Sequence, residues 1–301
     1  MHKNLAIYVS TSVASLFFAT AHPALAQTWT VGATPTLASG AYDGAADRDR
    51  YLDRGITFTA DYLDQAGVVA SVSHTSIAYK SGTSSTEQDN LLLSGHWSQQ
   101  LTALPARLTT RLDVYRISNN DATGDTDGVS VAAGQVSLLS KDALFYADLG
   151  YARSRYQNDL TVDQFTPTVG FALNDGKDWV QLRAYAINGL NPARAQGKSD
   201  TSALEAKWTH YFAGTPGSGW MPASATVSVL GGERIYAVDM DAQSVYNLSG
   251  IQTGAATLGL NWKLSKGSSL LVLAGQNRFR DATLDNDYRL NVAYAAWTLN
   301  F

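Results

Sequence analysis

The sequence predicts an all-β fold, a single transmembrane antiparallel up-and-down β-barrel of about 14 strands (12–16). Three observations predict it. Apolar and polar residues alternate with period two along most of the chain. Beyond the amino-terminal segment, no stretch approaches the roughly 18 consecutive apolar residues that a membrane helix needs. The chain has no cysteine, so disulfides do not supply the cohesion that small exported folds usually draw from them.

Residues 1–26 read as an export signal. His2 and Lys3 make a short basic start, an apolar stretch covers residues 5–20, and Pro23 breaks any helix before Ala24-Leu25-Ala26. That small-x-small site places cleavage before Gln27 and leaves residues 27–301 as one transmembrane barrel domain. Ser10, Thr11, Ser12 and Ser15 interrupt the apolar run and argue against a retained anchor.

Alternating segments fall at about 28–40, 55–64, 67–81, 90–100, 106–118, 128–140, 143–156, 160–174, 178–190, 201–213, 222–237, 247–265, 268–281 and 286–301. An even number suits a barrel with both chain ends on the periplasmic side. The connections alternate in kind. Tight turns such as Asp64-Gln65-Ala66 and Asn174-Asp175-Gly176-Lys177 follow even strands. Longer polar stretches, such as residues 41–54, 119–127 and 191–200, follow odd ones. No outer loop looks long enough to fold in as a constriction or plug. Trp179, Trp208, Trp262 and Trp297 lie near strand ends on the turn side, where an aromatic girdle belongs.

Composition restricts the function classes. Charged residues are only 16% of the chain and the net charge is −4, which argues against a nucleic-acid partner. The carboxyl-terminal strand puts Trp297, Leu299 and Phe301 on one face, with Thr298 and Asn300 on the other. A soluble protein seldom leaves such an apolar edge uncovered. This pattern resembles the closing strand of Gram-negative outer-membrane β-barrels, the porin-like class. The resemblance implies an outer-membrane location among lipid and lipopolysaccharide. It also implies that barrel-assembly machinery reads Trp297, Leu299 and Phe301 as an assembly signal.

If the polar faces look inward, the lumen is lined by Arg107, Arg111, Asp113, Tyr115, Asp148, Arg183, Tyr185, Lys207, Arg234, Lys263 and Arg278. The excess of cations predicts a mildly cationic interior that favours anions, and the tyrosines offer rings for sugars to stack on. Asp239 and Asp241 count among the outer-loop acids. The run at residues 120–128 has carboxylates at a cation's spacing but lacks the full calcium-loop pattern, so no metal site is expected.

No His-Glu-x-x-His or Gly-x-Ser-x-Gly occurs. His74 and His96, on neighbouring strands, have no serine in a recognisable nucleophile context near them. No enzyme activity and no cofactor are expected. The expectation is a channel for small polar solutes, anions or short acidic saccharides. The alternative is an export conduit or scaffold working with a periplasmic or secreted partner.

Overall fold

The computed structural model describes residues 29–80, 85–120, 126–157, 159–212, 221–247 and 250–301. The proposed export signal lies outside the described residues, as do residues 121–125 of the Asp-rich run.

Fourteen strands close into one antiparallel barrel. The first half of the wall is β1 (Trp29–Asp43), β2 (Arg48–Tyr62), β3 (Ala66–Tyr79), β4 (Thr86–Gln100), β5 (Ala106–Asn119), β6 (Val129–Ser140) and β7 (Phe145–Arg155). The second half is β8 (Thr161–Leu173), β9 (Asp178–Asn188), β10 (Thr201–Tyr211), β11 (Ser224–Arg234), β14 (Ile251–Ser265), β15 (Ser268–Asp281) and β16 (Asn286–Asn300). Two short strands, β12 (Val238–Asp239) and β13 (Ser244–Val245), pair only with each other. Each wall strand pairs with its chain neighbours, β11 pairs with β14, and β16 returns to β1. Closure is what the bilayer demands, because hydrocarbon offers an open sheet edge no hydrogen-bond partners. The predicted architecture and strand number are those observed.

Side-chain alternation faces the way a lipid solvent requires. In β4, Leu93 is 54% exposed while the adjacent Ser94 is 8% exposed. Leu112, Val114, Leu149, Phe165 and Leu204 also stand on the outer wall, while Asp113, Asp148, Gln164, Arg183 and Glu205 are buried inside. A sandwich would reverse this arrangement.

Aromatic residues ring the end that carries Trp29 and Phe301. Trp29 packs 5.2 Å from the ring of Tyr62. Trp208 donates from Nε1 to Asp178 at 3.0 Å, and Trp297 from Nε1 to Ser268 at 2.8 Å. All three indoles lie on the wall, and Trp208 and Trp297 satisfy their N–H groups locally, as suits an interface between hydrocarbon and water. Trp179 departs from the expected girdle. Val180 and Leu182 face out, so Trp179 faces in, where its ring covers Gly170; a Cβ there would lie 2.7 Å from the indole.

Most turns at this end are short, the β10–β11 connection at residues 212–223 being the longer exception. Leu63 and Asp64 both have positive φ and close the β2–β3 hairpin, with Gln65 N–H donating to Tyr62 O at 2.8 Å. In the β6–β7 turn the Ser140 hydroxyl and the Leu144 N–H hold the Asp142 carboxyl below its ordinary range. This end faces the periplasm, as short periplasmic turns and longer extracellular loops are the rule of such barrels.

The outer end differs from expectation in two ways. The β1–β2 connection is only residues 44–47, because both strands run on. Tyr42, Arg48 and Tyr51 are buried on the inner side there, and Arg48 donates to the Tyr288 hydroxyl. The larger difference follows β11, which ends at Arg234 rather than residue 237. Residues 235–247 then turn into the barrel, and β14 begins at Ile251. A constriction loop therefore exists where none was expected. Gly232 lets the chain leave the wall. Its φ is +104°, and a Cβ there would meet Ser202 O at 2.6 Å and Ala203 Cα at 2.7 Å.

Because Leu93 faces lipid, Leu93→Arg should lower barrel stability by about 2–4 kcal/mol. Ser94→Ala, one residue along, should change it far less. Denaturant titration in lipid vesicles would measure both, and equal stability of Leu93→Arg and the parent would mean that this face does not meet hydrocarbon.

Candidate functional site

The inserted segment is held by side chains that the alternation points inward. The Gln164 amide of β8 receives the Val238 N–H at 2.9 Å and donates to the Val238 carbonyl at 2.6 Å. A side-chain amide here does the work of a neighbouring strand, satisfying both backbone groups of a buried residue. Arg183 of β9 donates to Asp241, lies 3.6 Å from Asp239, and is itself held by Thr168 at 3.0 Å. The Tyr185 hydroxyl donates to Glu205 at 3.1 Å and to Asp239 at 3.4 Å. At the far end of the segment Asn247 donates to Gln88 at 3.0 Å and to Thr126 O at 2.8 Å. Met240 fills the space above Gly150, where a Cβ would come within 1.9 Å of the methionine methyl.

Above this polar layer the outer half of the barrel is packed with apolar side chains. Ile235, Val238, Val245 and Tyr246 of the segment meet inward Ile117, Val131, Ile187 and Leu290 of the wall. Tyr246 stacks on Phe279 and Phe279 on Tyr288, with centroids 5.9 and 5.2 Å apart. Arg234 lies 4.9 Å from the Tyr185 ring and donates to Gln252.

Residues 238–241 of the segment sit against β7, β8 and β9, and a cavity of about 140 Å³ remains on the β1–β5 side. Thr36, Thr57, Ser71, Ser73 and Asn90 line it with Asp53; Tyr51, Tyr115 and Tyr294 supply rings, and Ala242, Gln243 and Ser244 at the segment's tip form its other side.

The residues predicted to line the lumen divide into groups. Arg183, Tyr185, Lys207 and Arg234 lie buried in the lumen, with Arg183, Tyr185 and Arg234 packed directly against the inserted segment. Asp148 is buried on the inner face of β7. Arg111 and Asp113 pair bidentately at 2.8 and 2.7 Å, and Tyr115 beside them reaches the cavity. Arg107 and Lys263 share the inward register near the periplasmic mouth, Lys263 exposed to water there. Arg278 is a correction: it is exposed on the outer wall, because its neighbours Asn277 and Phe279 are buried inside. Trp297 and Phe301 are exposed on the outer wall at the periplasmic end, with Leu299 between them half-buried.

Charge in the lumen also departs from expectation. Asp239 and Asp241 leave the outer loops and enter the barrel with the inserted segment, where they neutralise Arg183. Asp53 and Asp281 add inward carboxylates that the sequence reading omitted. The interior is balanced rather than cationic.

The two histidines on neighbouring strands do not approach each other. His74 is on the outer wall, its ring between Asp89 at 2.8 Å and Glu87 at 3.0 Å. His96 faces in, 3.5 Å from Asp61. His74 lies opposite Asp89 and His96 opposite Gly67, seven residues apart along the ladder, and an odd separation puts them on opposite faces.

No family model matches the chain, and no curated protein matches it in sequence. Solved structures do. The toluene transporter TodX of Pseudomonas putida matches at 11% identity and a TM-score of 0.54, over 91% of this chain and 89% of that one. OccK7 of Pseudomonas aeruginosa matches at 12% and 0.44, and Omp33 of Acinetobacter baumannii at 8% and 0.43; each covers 91% of this chain and 98% of its own. At such identity the likeness shows architecture alone. A closed antiparallel wall with its apolar face outward and an aromatic ring at one end make the protein a transmembrane β-barrel, an architecture that it shares with TodX.

Proposed function

We propose that the protein is an outer-membrane channel for small polar solutes, narrowed by residues 235–247 to a path along β1–β5. The observation that carries this reading is the cavity beside the segment's tip, walled by hydroxyl groups, Asn90 and tyrosine rings. Fourteen strands enclose more than the side-chain-filled interior of about eight, and the segment's tip leaves space beside β1–β5. Hydroxyl and amide groups with flanking rings suit short saccharides and similar uncharged solutes. The anion preference expected from sequence is not retained in this reading, because Arg183 and Arg111 are spent on carboxylates.

The apolar layer across the outer half favours a second reading, a barrel that stays shut until a periplasmic or secreted partner shifts the segment. Loosening the segment tests both. Gly150→Leu removes the space that Met240 occupies, and Arg183→Ala removes the Asp241 anchor. Planar-bilayer recordings should show stepwise conductance for the parent and a severalfold rise for either variant. Conductance confined to the variants would favour the shut barrel, and silence in all three would overturn the channel.

Selectivity offers a further check. Asp53 is the carboxylate at the cavity, so Asp53→Lys should move the reversal potential in a salt gradient toward anions. An unchanged potential would mean that solutes do not pass this wall.

A further inference from the structure

The outward side chains of β2, β1, β16, β15 and β14 form rows whose composition changes with height. Below the outermost pair, Arg280 opposite Asp287, Arg289 lies directly opposite Arg278, with Asp43 beyond Arg289. Among the described residues neither guanidinium makes a hydrogen bond or ion pair. The next row inward is Arg50, Ala41, Asn291 and Gln276, the last two joined by a 2.8 Å hydrogen bond. The third is Leu52, Ser39, Ala293, Ala274 and Leu258. Leu37 and Val272 continue the wall below.

Small side chains thus leave a groove of about 570 Å³ on the outer wall, floored by Ser39, Ala41, Ala274 and Ala293 and bordered by Arg50. Elsewhere on the wall, outward positions of this kind carry Leu, Val or Phe, as Leu93, Val114, Leu149 and Phe165 do. The arginines stand above the groove on the side of the extracellular loops.

Like charges directly opposite each other on a sheet destabilise it. At Arg278 and Arg289 an external anion would turn that repulsion into attraction, and guanidinium groups fit phosphate oxygens bidentately. An apolar groove beneath the Arg278–Arg289 pair, at the depth where headgroup meets hydrocarbon, matches a lipid rather than a free ion. A second copy of the chain related by a two-fold axis would set these arginines against each other.

The geometry points to a binding site for a phosphorylated lipid of the outer leaflet, of the lipopolysaccharide class. Its phosphate sits between Arg278 and Arg289, beside an Arg50 that is paired with Asp49 at 3.1 Å, and an acyl chain lies along Ala41, Ala293 and Ala274.

The test is titration of the detergent-solubilised barrel with lipopolysaccharide, read by native mass spectrometry. Arg278→Gln/Arg289→Gln and the groove-filling Ala293→Leu are compared with Arg153→Gln, an outward arginine on β7 paired with Asp163. Heat-shifted gel mobility checks that each barrel has closed. The parent should bind lipid in a one-to-one step. The arginine pair should weaken binding by about tenfold or more, Ala293→Leu should weaken it without any change of charge, and Arg153→Gln should leave it unchanged. Inorganic phosphate alone should compete poorly. Equal binding by all four proteins, no binding by the parent, full competition by phosphate, or lipid-free association of copies that the Arg278/Arg289 variant abolishes would each overturn the site.

Discussion

Everything in this molecule depends on one requirement: in hydrocarbon, each backbone N–H and C=O must have a partner within the protein. An unpaired group costs several kcal/mol there, so the sheet must close on itself, and β16 returns to β1. Closure in turn fixes two faces for every strand. Lipid takes one of them, and the polar residues are left to the enclosed space. The buried Gln164, Arg183, Glu205 and Lys207 would be a liability in an ordinary core; here they are what the wall offers to anything that enters.

What enters is the segment between β11 and β14. A backbone leaving the wall meets the same demand for partners that the wall does. Gln164 meets it for Val238, Asn247 finds Gln88 and the Thr126 carbonyl, and the short β12–β13 ladder supplies part of the rest. Its two aspartates are matched to Arg183. The segment carries its own apolar residues as well, and Ile235, Val245 and Tyr246 find wall positions that are apolar on the inner side. Polar anchoring below and apolar packing above hold it across the lumen, with the cavity left beside its tip on the β1–β5 side.

Much of this was legible in the chain. Leu93 beside Ser94 and Val114 beside Asp113 carry the period-two signal without ambiguity, and the strand number and closure followed from counting such segments. The segment at residues 235–247 was not legible, for a physical reason. Residues 235–237 read as the end of a strand and 238–246 as an outer loop, because periodicity does not say where a strand leaves the wall or whether the polar stretch after it turns inward. Gly231-Gly232 was the available signal, since paired glycines inside a strand mark a bulge or close backbone approach. The cavity was beyond reach for the same reason: its hydroxyls were visible on the inner faces, but which of them stay uncovered depends on where the segment settles.

The misplacement of Arg278 and the burial of Phe279 are one fact. Over the middle and periplasmic parts of the wall, polar side chains face in and apolar ones face out. Near the outer rim the surroundings exchange character, because the interior there is an apolar layer around the inserted segment and the exterior is the headgroup region. Tyr42, Ile77, Ile117, Phe279 and Leu290 therefore turn inward, while Asp43, Arg278 and Arg289 turn outward. No slip of register is involved, since Leu273 and Phe279 share the inner face of β15 while Val272 and Arg278 share the outer one. The alternation keeps its phase along the strand; only the solvent on each side changes with depth. A rule that assigns faces by polarity alone holds as far as the lumen stays wet, and it inverts where the barrel fills itself.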